Sequence, residues 1–138
     1  MSLIKAAGID LAKLVFSIHG IDAHDKCKLR KTIKRNNILA EVVKLPPYII
    51  GMEACSGAHY WAREFTKLGH DVRIMACKFV IPYRQNEKNY ANDAEAICEA
   101  VTRLKTRFVS IKSEEQQAVL CLHRIRQGAI KDRTARIN

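Results

Sequence analysis

Two stretches of this chain share one arrangement, an apolar strand that ends in glycine, one apolar residue and an acid. The first is Gly8-Ile9-Asp10, closing Ile4 to Asp10, and the second is Gly51-Met52-Glu53, closing a run that starts at Tyr48. Side chains alternate along a strand, so Ile4, Ala6, Gly8 and Asp10 share a face, as do Ile49, Gly51 and Glu53. A carboxylate buried there without a partner costs several kcal/mol as an order of magnitude. The glycine two positions earlier leaves room for another backbone or a ligand. A cation or a hydrogen-bonding network explains such a carboxylate, and a turn-initiating Asp in a hairpin explains the first one equally well.

The 138 residues predict one domain, and an apolar share of 48% excludes a disordered chain. No apolar run is long enough to cross a bilayer and no signal-peptide core is present, so a soluble intracellular protein is expected. The cysteines Cys27, Cys55, Cys77, Cys98 and Cys121 lie far apart among apolar neighbours. They read as ordinary buried thiols in a reducing compartment. The net charge of +10 favours nucleic acid as partner, because each neutralised phosphate releases counterions. An anionic membrane surface is disfavoured, since no basic amphipathic helix with an aromatic face is visible.

The first stretch and Ser17-Ile18-His19-Gly20 read as two strands joined by a tight turn. Lys26 to Arg35 holds six basic residues and no acid, which predicts an edge strand with a charged outer face. A helix capped by Asn36 or Asn37 follows, with Ile38, Leu39, Val42 and Val43 on one side, and Pro46-Pro47 ends it. After the second glycine-acid strand, Ala58, Trp61, Ala62, Phe65 and Leu68 form a helical stripe closed by Gly69. The strand Asp71 to Ala76 then completes a parallel strand-helix-strand crossover. A mixed sheet with helices on its faces is expected.

Lys78 to Asn89 has no clear period and reads as a loop. Its interleaved basic and aromatic side chains, Lys78, Tyr83, Arg84 and Lys88 among them, suit phosphate contacts and base stacking. Ala91 to Leu104 is helical, with Asp93, Ile97, Ala100 and Leu104 inward and Glu95, Glu99 and Arg103 at the surface. Phe108 to Ile111 is extended, and Ser113-Glu114-Glu115-Gln116 is a capping box opening a long basic helix. That helix carries a stripe of Ala118, Leu122, Ile125 and Ala129, and runs to Asn138 without a stop signal, as a piece of something longer would.

Asp10, Glu53 and Asp93 thus come from two strand ends and a helix, each inward. Converging acids suit hard divalent cations, Mg²⁺ above all, and two-metal phosphodiester chemistry. Separate capping or pairing of each acid is the competing reading. The stretches around Gly8-Ile9-Asp10-Leu11-Ala12-Lys13, Gly51-Met52-Glu53-Ala54-Cys55-Ser56-Gly57 with His59-Tyr60-Trp61, and Lys88-Asn89-Tyr90-Ala91-Asn92-Asp93 resemble the N-terminal domain of the DEDD transposases. These are insertion-sequence recombinases of bacteria and archaea, with a RuvC-like domain of ribonuclease H-like fold.

The resemblance implies an α/β RuvC-like domain over 1–112, with 113–138 starting a helical region that leads to an absent C-terminal transposase domain. It implies that Asp10, Glu53 and Asp93 are the catalytic acids and hold Mg²⁺ or Mn²⁺. Tyr90 stands where the family pattern has its third acid. Nucleic acid is expected at Ser56, Lys78, Tyr83, Arg84 and Lys88. The implied partners are DNA of the mobile-element ends and target, a structured guide RNA, and further copies of the chain, in the cytoplasm and at the nucleoid of a prokaryote. Tyr90 and the absent domain predict impaired cutting and joining. The alternative is a nucleic-acid-binding remnant without catalysis. A phosphotransferase of the actin-like fold ranks last, because its glycine-rich phosphate loops are absent.

Overall fold

β1 (Ala6–Leu11) lies at the centre of a sheet because both of its faces are small and apolar. Ala6, Ala7 and Ile9 are completely buried. This is seen in a computed structural model that describes residues 4–84, 90–103 and 108–137, with the backbone alone at 90 and 91. β2 (Val15–Ile21) folds back antiparallel on β1, and β3 (Cys27–Lys34) pairs antiparallel with β2. On the other side, β4 (Ile49–Glu53) runs parallel to β1, and β5 (Asp71–Met75) parallel to β4. The order is β3-β2-β1-β4-β5. This is the mixed sheet expected from the sequence, with the basic strand β3 at its edge.

One face is covered by α1 (Ile38–Val43) and α2 (Ala58–Lys67), whose Ile38, Val42, Ala58, Trp61, Ala62 and Phe65 join Ala7, Ile9, Ile50, Met52 and Ile74 in a continuous core. Burying one such large side chain stabilises by about 1.5–3 kcal/mol. Gly69 closes α2 at φ +96°, a left-handed conformation that favours glycine. The other face is covered by α4 (Tyr90–Arg103), with Ala96, Ile97, Ala100 and Val101 against Ala6, Ile21, Met75 and Val80. The glycines of the two strands make this close approach possible. A Cβ on Gly8 would collide with the backbone of Ala94 and Cys98, and one on Gly51 would come within 2.7 Å of Val101.

The structure corrects several expectations. The stretch from Lys78 begins in a short helix, α3 (Cys77–Val80), followed by a 3-10 turn at Ile81–Tyr83 with Pro82 in its first positions. These pieces are shorter than the window in which periodicity is legible. Val43 is 57% exposed, because α1 is a six-residue helix whose core face is used up by Ile38 and Val42. Asn37 makes no side-chain cap. Of the cysteines only Cys98 is buried, while Cys27, Cys55, Cys77 and Cys121 are exposed. Cys27 opens β3 between two exposed lysines, Cys55 lies in the loop after β4, Cys77 opens the short helix after β5, and Cys121 is on the last helix, none of whose residues is buried. Leu104 lies outside the described residues.

After the extended segment that bridges Val109 to Ile74, α5 (Glu114–Ile137) opens with the expected capping box. The Ser113 Oγ accepts from the Gln116 amide at 3.1 Å, and Gln116 Oε1 accepts from the Ser113 amide at 2.9 Å. Its stripe is not core, since no α5 residue is buried. Arg63 of α2 ties this helix to the body, donating to Gln117 Oε1 at 2.8 Å and to the Lys112 carbonyl. Among the described residues, no helix is long and apolar enough to cross a membrane.

Candidate active site

The two glycine-acid motifs lie side by side. Gly8 is in register with Gly51 and Ile9 with Met52, so Asp10 and Glu53 are the next residues at the same end of adjacent parallel strands. Both are half-buried, and both share the α4 side of the sheet with their glycines. Asp93 sits in the first turn of α4 and is 4% exposed. Its inward position follows from the helical spacing that also buries Ile97 and Ala100.

The cation among these acids comes from the protein. Arg84 Nη2 donates to Glu53 Oε2 at 3.0 Å, and Arg84 Nε lies 3.0 Å from Asp93 Oδ1. The second contact is short but lacks the alignment of a hydrogen bond, so it is electrostatic. At 23% side-chain exposure for Arg84, 18% for Glu53 and 6% for Asp93, this bridge is screened far less than a surface pair. Arg84 was expected to meet nucleic acid; it is engaged with two of the three acids.

Cys77, which opens α3 two residues after β5 ends, also belongs here. A hydrogen bond to the Glu53 carboxylate, with burial and the Glu53 charge adding to it, pushes the Cys77 thiol up in pKa. Nothing in the sequence marked Cys77, although the end of the strand next to Glu53 is where such a neighbour belongs. Of the remaining candidates, Ser56 is exposed after β4, and Lys78 is exposed with its Nζ 5.1 Å from the Phe79 ring centre. Tyr83 packs against the core beneath α4. Lys88 lies outside the described residues, as does the side chain of Tyr90, whose backbone opens α4.

Carboxylates at two strand ends and a helix start are the donor type of a hard cation. Their arrangement with Arg84 in place does not fit one, because no group of three or more His, Cys, Asp or Glu among the described residues is placed to hold a metal ion. As it stands, the cluster holds a guanidinium.

No protein-family model matches the chain. The "Probable family 20 transposase" of Pseudomonas aeruginosa is 50% identical over 135 residues, which is 98% of this chain and 40% of that protein. The transposase for insertion sequence element IS1328 of Yersinia enterocolitica is 40% identical over 138 residues, all of this chain and 41% of that protein. A third, the transposase for insertion sequence element IS1111A of Coxiella burnetii, is 41% identical over the same 138 residues. The chain is similar to transposases. It spans about two fifths of the length of these relatives, and the similarity takes in both glycine-acid strands, α4 and α5.

Proposed function

We propose that this chain is the N-terminal part of an insertion-sequence transposase, with a RuvC-like domain of ribonuclease H-like fold that acts on DNA of the element ends and target. The observation that carries the reading is the register that puts Asp10 and Glu53 at the same end of neighbouring parallel strands, with Asp93 joined to Glu53 through Arg84. The similarity to transposases over the whole chain supports it. The proposed division is 1–112 for this domain and 113–138 for the start of a helical region.

In this reading Asp10, Glu53 and Asp93 would hold Mg²⁺ or Mn²⁺ in place of the Arg84 guanidinium. Such a cation would supply activation of a water or hydroxyl for attack on a phosphodiester. Arg84 is then the resident counter-ion that keeps the acids neutralised and in place. Ser56, Lys78, Tyr83 and Lys88 are the nucleic-acid contacts proposed in this reading. Structured RNA is a second proposed ligand, and association of copies of the chain is part of the same proposal. Tyr90 stands in the sequence where the family pattern has its third acid, so one carboxylate of that pattern is lacking here.

The second reading is a nucleic-acid-binding module without metal chemistry, and the Arg84 bridge is the observation that favours it. Titration calorimetry with MnCl₂ separates the two. The first reading expects binding that is lost in Asp10→Asn and Glu53→Gln. Heats that are absent, or identical in parent and both variants, would rule it out and leave the second.

A further inference from the structure

A second feature opens at the same end of the sheet, on the α1 and α2 side. β3 runs in the direction of β1, because each is antiparallel to β2. Arg35 therefore follows β3 at the end where Asp10 closes β1, and its amide donates to the Leu14 carbonyl of the intervening hairpin at 2.9 Å. Its guanidinium stands over the Trp61 ring, 5.7 Å from the centroid. Tyr60 meets Trp61 edge-on, with ring centres 5.0 Å apart and planes at 84°, and is 43% exposed. Arg35, Asn36, Leu39, Tyr60 and Trp61 line a groove of about 400 Å³.

Trp61 is itself fixed. It is 7% exposed and packs against Phe16 at 5.0 Å and Phe65 at 5.9 Å. The groove thus has a rigid aromatic floor, one half-open ring, an exposed guanidinium and a side-chain amide. Those are the parts with which proteins take an unpaired nucleotide: a ring to stack on the base, a cation for the phosphate, an amide for a base edge. We infer that this groove binds one unpaired nucleotide of a strand whose phosphodiester lies at the acids, with the base against Tyr60 and a phosphate on Arg35. Strands are spaced by about 4.8 Å, so β3 stands roughly 10 Å from β1 and roughly 15 Å from β4, a span of a few nucleotides. Lys34, exposed on β3, extends the positive charge outward from Arg35, while the Lys31 ammonium is paired with Glu41 at 3.8 Å.

The inference rests on the reading of the chain as acting on nucleic acid, and its test is made without metal so that the two fail separately. Trp61 is the chain's single tryptophan, so tryptophan emission comes from the floor of the groove alone. The full chain is titrated in EDTA with a DNA single strand, an RNA of the same sequence, and the DNA duplex. Single strands should change Trp61 emission, and the duplex, whose bases are stacked away, should not. Comparison of the DNA and RNA arms tells which strand the groove takes. Tyr60→Ala should weaken single-strand binding about tenfold or more, while Tyr60→Phe keeps it. Arg35→Ala should flatten the log-log salt dependence by about 0.7, the share of one single-strand phosphate. Single-strand binding that leaves Trp61 emission unchanged and is unaffected by Tyr60→Ala overturns the groove alone. Absence of any nucleic-acid binding overturns the broader reading as well. Since Tyr60 and Arg35 are both exposed, the variants should keep the parent's circular dichroism, and a folded Tyr60→Ala that binds like the parent is decisive against the groove.

Discussion

Arg84 donates to Glu53 at 3.0 Å across 31 positions of sequence. The same guanidinium reaches Asp93 at 3.0 Å, so one side chain ties the end of β4 to the start of α4. Removing it would leave acids facing each other in a partly buried place, where an uncompensated charge is costly.

Arg84→Ala should therefore lower stability by about 1–3 kcal/mol in metal-free buffer. It should also bind Mn²⁺ more tightly than the parent, because the competing cation is gone. Thermal melts with and without MnCl₂ check both points. A variant that melts like the parent and ignores manganese would show that the bridge has no energetic role.

Gly8 and Gly128 make a matched pair. Gly8→Ala would push a Cβ into the backbone of Ala94 and Cys98, which must move α4 or bend β1. A loss of about 1–3 kcal/mol is expected from such overpacking. Gly128 has nothing within 4 Å of an added Cβ and sits inside α5. Gly128→Ala should stabilise that helix by about 0.5–1 kcal/mol. Urea melts of the first and helicity of the second by circular dichroism give opposite signs if this is right.

His70 predicts acid sensitivity. Its Nδ1 accepts from the Tyr48 amide at 3.3 Å, which leaves the proton on Nε2, 3.3 Å from the Val42 carbonyl. Burial lowers its pKa from 6.5, partly offset by the contact with the Val42 carbonyl. Burial likewise lowers His19 and His59. Each group is neutral in the folded chain over a range where the unfolded chain takes up a proton. Their stabilisation is complete above about pH 6.5 and is lost as pH falls from there through the folded values. Urea melts at about pH 7.5 and about pH 5.5 should show lower stability in acid, and His70→Gln should make the dependence shallower. Equal stability at both pH values would refute this.

Ser113→Ala removes the hydroxyl that accepts from the Gln116 amide. The first turn of α5 should lose about 0.5–2 kcal/mol, seen as faster hydrogen exchange at Gln116 with the sheet amides unchanged. Unchanged exchange at Gln116 would mean that Arg63 alone holds the turn.

How much of this could be read from the chain follows the range of the forces involved. Alternation placed Gly8 with Asp10 and Gly51 with Glu53, the stripe through Phe65 placed α2, and Ser113 with Gln116 marked the start of α5. Each signal lies within one strand or two helical turns, where near neighbours decide the geometry. The inward position of Asp93 was legible for the same reason. What Arg84 would touch was not, because its partners Glu53 and Asp93 are distant in sequence and meet it only once α3, β4 and α4 are packed. Exposure is equally a property of the assembled body. Cys121 and the Leu122 and Ile125 stripe of α5 have apolar neighbours and face solvent, since apolar character says that a residue can be buried while only packing supplies something to bury it against. The sequence by itself determined the two glycine-acid strands and the periods of the helices. The tertiary structure decided which cation stands between the acids, and brought Arg35 against Trp61, because side-chain charges and rings act over a few ångströms of space whatever their separation along the chain.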